Sequence, residues 1–276
     1  MPELPEVETI VSSLRRGDGS AHSGVVGKTI QYAQVLWARS LALPAADEFV
    51  QMVAGQKILS VNRRGKFLVF QLEKQTLLVH LRMSGDLFVE GEPGSRNTLH
   101  DRVILLFSDG SRLVFNDPRK FGRVWLVEDA SEITQGLGPE PLDVNLTEDL
   151  FYQRLQRSRK MIKPLLLDQS FVAGIGNIYS DEALFLAGIH PETPANLIDP
   201  QKAEALLAAI RGVLQEGITR NGASIDWVYR GGDFQNHFNV YQRDGKPCIR
   251  CGTSIVRIVV GQRGTHICPK CQQKPA

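Results

Sequence analysis

Four cysteines limit what this chain can fold into more than any other feature. Cys248, Cys251, Cys268 and Cys271 are its only cysteines, arranged as Cys-x2-Cys, sixteen residues, and Cys-x2-Cys. Two such knuckles can present paired thiolates tetrahedrally to one Zn2+, and a segment organised by an ion needs little apolar core. Two disulfides could use the same residues, but they persist only in an oxidising compartment. The start, Met1-Pro-Glu-Leu-Pro-Glu-Val-Glu8, lacks the basic residues and apolar stretch of an export signal. A zinc site in a cytoplasmic protein is therefore the expectation. Within the segment, Thr253–Val260 and Thr265–Ile267 read as two strands around Gly261-Gln-Arg-Gly264, a hairpin hung on the metal.

The rest of the chain divides by periodicity. Pro5 suits the first position of a helix, Glu6 and Glu8 favour its positive end, and Val7, Ile10, Val11 and Leu14 recur at helical spacing until Gly17. From Lys28 to about Val127 the pattern turns to short β-rich runs. The clearest are Lys66–Leu72, Thr76–Met83, Arg102–Phe107 and Arg112–Asn116, the last two joined through Asp109-Gly110. Beyond Gly136-Leu-Gly-Pro-Glu-Pro141 helical spacing returns, over Glu148–Ser158, Ile178–Ala187 and Pro200–Glu216.

With 276 residues and 42% hydrophobic content the chain can bury two ordinary cores. The expected class is α+β. Residues 1–135 form an N-terminal helix and an antiparallel β-sandwich, 136–147 a linker, 148–240 a helical domain and 241–276 a zinc finger. No apolar run approaches the roughly 20 residues that span a bilayer, so no membrane partner is expected. Residues 151–276 carry 16 Lys and Arg against 10 Asp and Glu, while residues 1–150 carry 16 against 20. A basic C-terminal half suits a polyanion, although solvated charged faces are common.

Three constellations can carry chemistry. Removal of Met1, usual before a small residue, exposes Pro2 as a secondary amine with a pKa of about 7.7–8.0, and the adjacent helix start lowers it further. A neutral amine can form a Schiff base, with Glu3 and Glu6 beside it as proton carriers. On spacing alone, Pro2 and Pro5 read as stiffeners of a helix start rather than as catalytic residues. In Ala173-Gly-Ile-Gly-Asn-Ile-Tyr-Ser-Asp181, glycines lead into a helix near Ile178, with Asn177 as N-cap. Free amides of its first turn can hold a phosphate, with Lys163 as counter-charge, or the segment is an ordinary capped helix. Asn116-Asp-Pro-Arg-Lys-Phe-Gly122 offers Arg119 and Phe121, and His80-Leu-Arg-Met-Ser-Gly85 offers Met83. These side chains can enter a duplex where a base has left the stack, or simply be core. Lys66, in Arg63-Arg-Gly-Lys66, is a candidate phosphate contact.

Together, Pro2-Glu-Leu-Pro-Glu-Val-Glu8, Leu81-Arg-Met-Ser-Gly85, Asp117-Pro-Arg-Lys-Phe-Gly122, Gly174-Ile-Gly-Asn-Ile-Tyr179 and the four-cysteine ribbon with Gln262-Arg263 resemble the formamidopyrimidine-DNA glycosylase family in order and spacing. The resemblance implies a monomeric base excision repair enzyme that removes oxidised purines from double-stranded DNA and cleaves the strand by β,δ-elimination. It makes Pro2 the nucleophile, Glu3 the acid/base, Glu6 a support, and Lys66 and Arg263 proton donors. Lys66, His80, Asn177, Tyr179 and Arg263 hold phosphates, and Lys163 lies on the DNA-binding side. Met83, Arg119 and Phe121 fill the gap, with Arg119 similar to the family's reader of the opposite cytosine. One structural Zn2+ on the four cysteines places Arg263 in the minor groove. The helical domain is then a helix-two-turn-helix unit, and a bacterial protein associated with the nucleoid follows.

One segment departs from the family pattern. Asn221-Gly-Ala-Ser-Ile225 stands where the family carries a Gly-Gly-Ser/Thr-Thr-like stretch before its lesion-capping loop, here Asp226–Asn239. Gly231-Gly232 and Phe234-Gln235 suggest a mobile loop, and preference among oxidised bases is what the departure leaves open. Two rivals remain: an endonuclease VIII-like glycosylase for oxidised pyrimidines, and a zinc-ribbon DNA-binding protein without catalysis.

Overall fold

The first helix is set by a reciprocal cap. Glu3 is the N-cap: its carboxylate accepts the Glu6 amide, and Glu6 Oε2 accepts the Glu3 amide at 2.8 Å. Helix α1 (Leu4–Arg16) therefore begins one residue earlier than Pro5 suggests. Pro5 falls in its second position, where a missing N–H still removes no intrahelical bond. Val7, Ile10, Val11 and Leu14 are buried as their spacing predicts, and Gly17, at φ 82°, ends the helix with its N–H on Ser13 O. The computed structural model describes residues 1–17, 24–91, 99–224 and 231–274. They fall into two compact units, one of Met1–Gln135 with Ser224 and Gly231, the other of Gly136–Ala223 and the residues from Gly232 on.

In the first unit the described strands are β1 (Ile30–Val35), β2 (Leu41–Leu43), β3 (Ile58–Arg64), β4 (Phe67–Leu72), β5 (Thr76–His80), β6 (Asp86–Glu90), β7 (Asp101–Phe107), β8 (Arg112–Asn116) and β9 (Arg123–Val127). Helices α2 (Ala46–Val53) and α3 (Ser131–Thr134) lie among and after them. One sheet has the order β1-β7-β8-β6 and the other β2-β9-β5-β4-β3. Alternate side chains of both sheets, with the apolar faces of α1 and α2, share one core. The expected antiparallel sandwich holds except at one pair, since β2 runs parallel to β9. The strand expected over 76–83 stops at His80, because Arg82 sits at φ 55° and the chain turns, Gly85 N bonding Leu81 O at 3.0 Å. Helix α2, which buries Phe49 and Val53, lies inside the run read as β-rich; eight residues carry too little periodicity to stand out.

The second unit contains α4 (Glu148–Gln156), α5 (Ile162–Leu167), α6 (Asn177–Leu186), α7 (Pro200–Thr219) and the hairpin β10 (Val256–Val260) and β11 (Arg263–Ile267). Residues 136–147, expected as a linker, are folded into this unit. The Arg211 guanidinium on α7 donates to the carbonyls of Pro141, Asp143 and Leu146, and Gly138 N bonds Gln169 O. Helix α6 is capped by Gly176 rather than by the expected Asn177, which becomes its first residue. Helix α5 escaped the sequence because six residues with a central proline show no helical repeat. No helix among the described residues is long and apolar enough to cross a membrane.

Aromatic packing fixes the end of α7. Tyr179 of α6 stacks on Phe234 with ring centroids 5.1 Å apart, and Gly217 of α7 lies against the Tyr179 ring. Phe234, read as part of a mobile loop, is instead buried in a short 3-10 turn, Phe234–His237; residues 225–230 lie outside the described residues. A Cβ added at Gly217 would stand 2.6 Å from Tyr179 Oη and Cε1. Gly to Ala inside a helix ordinarily gains about 1 kcal/mol. Here the buried, stacked ring cannot yield, and overpacking costs about 1–3 kcal/mol. Gly217→Ala should therefore lower the urea midpoint, and a raised midpoint would show that the ring relaxes.

Candidate active site and zinc centre

At the N-terminus, the cap decides which atoms are presented. Met1 is 44% exposed, whereas Pro2, Glu3 and Glu6 behind it are buried. The residue to be removed is accessible, and the amine that removal would free sits at the start of a helix. Glu8, one turn on, pairs with Arg63 of β3 at 2.9 Å, fastening α1 to the sheet.

Lys66 and His80 stand at facing ends of β4 and β5, where Phe67 pairs with His80. Both are largely buried. The His80 ring meets Phe67 edge-on at 4.7 Å, and its Nδ1 accepts the Arg82 amide at 3.1 Å. Burial, then the Arg82 and Lys66 cations, lower the His80 pKa to about 3. The imidazole is thus neutral near pH 7, and with Nδ1 accepting, its proton lies on Nε2. An uncharged N–H donor beside two cations is suited to a phosphate oxygen.

Met83 and Phe121 are 42% and 48% exposed, and Arg119 is exposed with its guanidinium 5.1 Å from the Phe121 ring centre. These three are not core residues. Both turns carrying them contain a non-glycine residue in the left-handed region, Arg82 at φ 55° and Lys120 at φ 62°. Such backbone costs about 1–3 kcal/mol and persists where neighbours over-determine it.

In the second unit, Arg263 is exposed beside the hairpin turn, where Gly261 and Gln262 take φ 55° and 64°. The base of that turn is held from below. Asn177 Nδ2 donates to Gly264 O at 3.0 Å. Lys163 Nζ donates to Gly264 O at 3.2 Å, Thr265 Oγ1 at 2.8 Å and Asp181 Oδ1 at 2.5 Å. Two residues expected as DNA contacts are buried. Lys163 has a fully buried side chain whose charge is answered by Asp181. The Tyr179 ring is buried against Phe234 and Gly217.

Asp181 and Glu182 were missed. Asp181 Oδ2 also accepts the His266 amide at 2.9 Å, pinning β11 to α6. The Glu182 carboxylate collects the amides of Asn239, Val240 and Tyr241, each at 2.9 Å, and the Asn239 side chain at 2.8 Å. Burial pushes its pKa up, and these four donors oppose that. Two adjacent carboxylates in the otherwise apolar run Ile178–Leu186 were the available signal.

The four cysteine Sγ atoms lie within 4.8 Å of one another, with Cys251 3.5 Å from both Cys268 and Cys271 and Cys248 3.9 Å from Cys271. A tetrahedron with Zn–S near 2.3 Å has edges of roughly 3.8 Å, so the cluster fits one zinc ion. The Arg250 and Cys271 amides point at Cys248 and Cys268 Sγ, both at 3.4 Å. The cluster is a structural zinc site: four protein sulfurs leave no open position.

Comparison with known proteins follows this anatomy. Residues 1–124 match the family model of the formamidopyrimidine-DNA glycosylase N-terminal domain, residues 137–228 that family's H2TH domain, and residues 245–274 the zinc finger found in FPG and IleRS. A formamidopyrimidine-DNA glycosylase of Chloroflexus aurantiacus is 47% identical, the match covering 99% of this chain and 98% of that one. One of Enterococcus faecalis is 44% identical, with the same coverage. A solved structure of MutM with DNA containing carbocyclic 8-oxo-G is 38% identical with a TM-score of 0.90, covering 99% of this chain and 100% of that one. The Lactococcus lactis FPG (MutM) complex with Fapy-dG DNA is 37% identical with a TM-score of 0.89 and the same coverage.

Two outcomes follow. His80 binds a proton more weakly folded, near 3, than unfolded, near 6.5, so its contribution to stability is complete above about 6.5 and is lost as pH falls toward 3. Urea titrations between pH 6.5 and 4 should show a shallower loss in His80→Gln than in wild type; equal slopes would contradict the burial argument. Chelation with a thiol-reporting reagent present should release one zinc per chain together with four reactive thiols, and fewer thiols would break the four-ligand assignment.

Proposed function

The chain belongs to the formamidopyrimidine-DNA glycosylase family, and from that premise we propose that it excises 8-oxoguanine and formamidopyrimidines from duplex DNA through a covalent bond to Pro2, then cleaves the strand. The observation that carries this reading is the Pro2-Glu3 pair at the start of α1, with Glu3 and Glu6 locked by their reciprocal cap. The oxidised-purine substrates rest on the relatives solved on DNA containing 8-oxo-G and Fapy-dG.

The chemistry is a sequence of proton and bond exchanges. The free Pro2 amine attacks C1′, the N-glycosidic bond breaks, and the base leaves with the bonding pair and a proton. Loss of the amine proton, and delivery of one to O4′ by Glu3, opens the sugar to an iminium ion. The iminium acidifies C2′; removal of that proton expels the 3′ phosphate, and a second elimination expels the 5′ phosphate. Lys66 and Arg263 supply protons along this path. Extrusion of the damaged nucleotide comes first, because a stacked base shields its sugar carbon.

Lys66, His80, Asn177 and Arg263 are then the phosphate contacts. Met83, Arg119 and Phe121 occupy the vacated space, with Arg119 on the opposite base. Zinc keeps the hairpin folded and so holds Arg263 at its turn. The enzyme acts as a monomer in the bacterial cytoplasm, at the nucleoid when on DNA.

Borohydride reduction of a reaction with an 8-oxoguanine duplex should link the mature protein covalently to DNA. Protein retaining Met1, verified by mass spectrometry, should give no adduct while still binding the duplex. Strand cleavage by the Met1-retaining form would remove Pro2 from the mechanism. A thymine glycol duplex run alongside should react more slowly, and a faster reaction would move the enzyme to oxidised pyrimidines.

A further inference from the structure

The two turns that carry Met83 and Arg119–Phe121 hang on one buried carboxylate. Asp117 is fully buried. Its Oδ1 accepts the Ser84 hydroxyl at 2.5 Å and the Arg119 amide at 3.2 Å, and its Oδ2 accepts the Gly122 amide at 2.7 Å. Ser84 Oγ accepts the same Arg119 amide at 3.2 Å. The backbone of Arg119 is therefore bonded directly to a side chain of the turn that presents Met83.

Packing repeats the connection. The Phe115 ring touches both turns: a Cβ built on Gly85 would stand 3.0 Å from Phe115 Cε2, and one on Gly122 2.3 Å from Phe115 Cζ. From behind, Arg102 Nε donates to the Asp117 carbonyl at 2.8 Å, while the Arg102 carbonyl accepts the amides of Leu36 and Trp37. Trp37 in turn lies under Lys120, whose ammonium is 4.0 Å from the indole centre. The left-handed residue between Arg119 and Phe121 is thus fixed from outside its own turn.

We propose that Ser84 and Asp117 are positioning residues that join the two turns into one rigid probe, so that Met83 cannot enter a duplex without carrying Arg119 to the base left behind. This rests on Arg119 reading that base. Two independent loops would each lose conformational freedom on insertion, whereas a joined pair is ordered beforehand. A joined pair also makes an unsuitable opposite base oppose the whole insertion rather than one side-chain contact. Ser84 touches no reacting atom in this account; it acts through Arg119.

The test is the ratio of kcat/KM for 8-oxoguanine opposite cytosine to that opposite adenine. A general loss of folded protein scales both values equally and cancels in the ratio. Ser84→Ala removes the hydroxyl bridge but keeps the Asp117 bond to Gly122, and the ratio should fall roughly 5- to 10-fold, the scale of one buried hydrogen bond. Arg119→Ala should lower it at least as far, and adding Ser84→Ala to it should change the ratio no further. A normal ratio in Ser84→Ala beside a lowered one in Arg119→Ala would overturn the joining and leave the reader in place. A normal ratio in both would remove the reader, and the proposal with it.

Discussion

A single buried carboxylate organises the second unit. Asp181 lies on α6 with its side chain wholly out of solvent, one oxygen on the Lys163 ammonium and the other on the His266 amide. Removing one partner of such a pair leaves an unanswered buried charge, typically at a cost of about 3–5 kcal/mol. The same ammonium reaches the Gly264 carbonyl and the Thr265 hydroxyl, so α5, α6 and β11 meet at one point. The hairpin that carries Arg263 and leads to Cys268 is therefore docked from below by charge and tied from above by zinc. Neither attachment depends on a large apolar core, which a segment of this length could not supply.

The first unit solves the same problem with a different carboxylate. Its sheets and α1 form an ordinary apolar interior, but the tips that present Met83, Arg119 and Phe121 are short turns with left-handed residues. Asp117 adds three directed hydrogen bonds to the Phe115 packing that the two turns share. In both units, then, turns carrying exposed side chains, Met83, Arg119 and Phe121 in one and Arg263 in the other, rest on a buried carboxylate. An acidic scaffold inside a nucleic-acid enzyme is not a contradiction, because the negative charge is spent on internal amides and cations.

Much of this was legible in the sequence, for reasons particular to each part. The cysteine spacing allowed only a small set of geometries, and the apolar repeat Val7, Ile10, Val11, Leu14 could bury one face only as a helix. The Met83, Arg119 and Phe121 turns were found because Gly and Pro punctuate them. Helices α2 and α5 were not, since six to eight residues make fewer than three turns and leave no periodic signature. The packing of Lys163 and Tyr179 was not legible for a shared reason: a lysine or tyrosine near a glycine-rich helix start looks like a surface residue until its partner is known. Those partners, Asp181 and Phe234, lie 18 and 55 residues further along the chain, and a single sequence shows no such pairing.

The neutral imidazole at the end of β5 bears on how the enzyme grips its polymer. A surface histidine against a phosphate gains a proton, and with it affinity, as the medium acidifies through the range cells visit. His80 is held uncharged by burial and flanking cations, so as the proposed phosphate contact it would offer the same donor at pH 6 as at pH 8. Such a contact would work as a fixed latch rather than a valve.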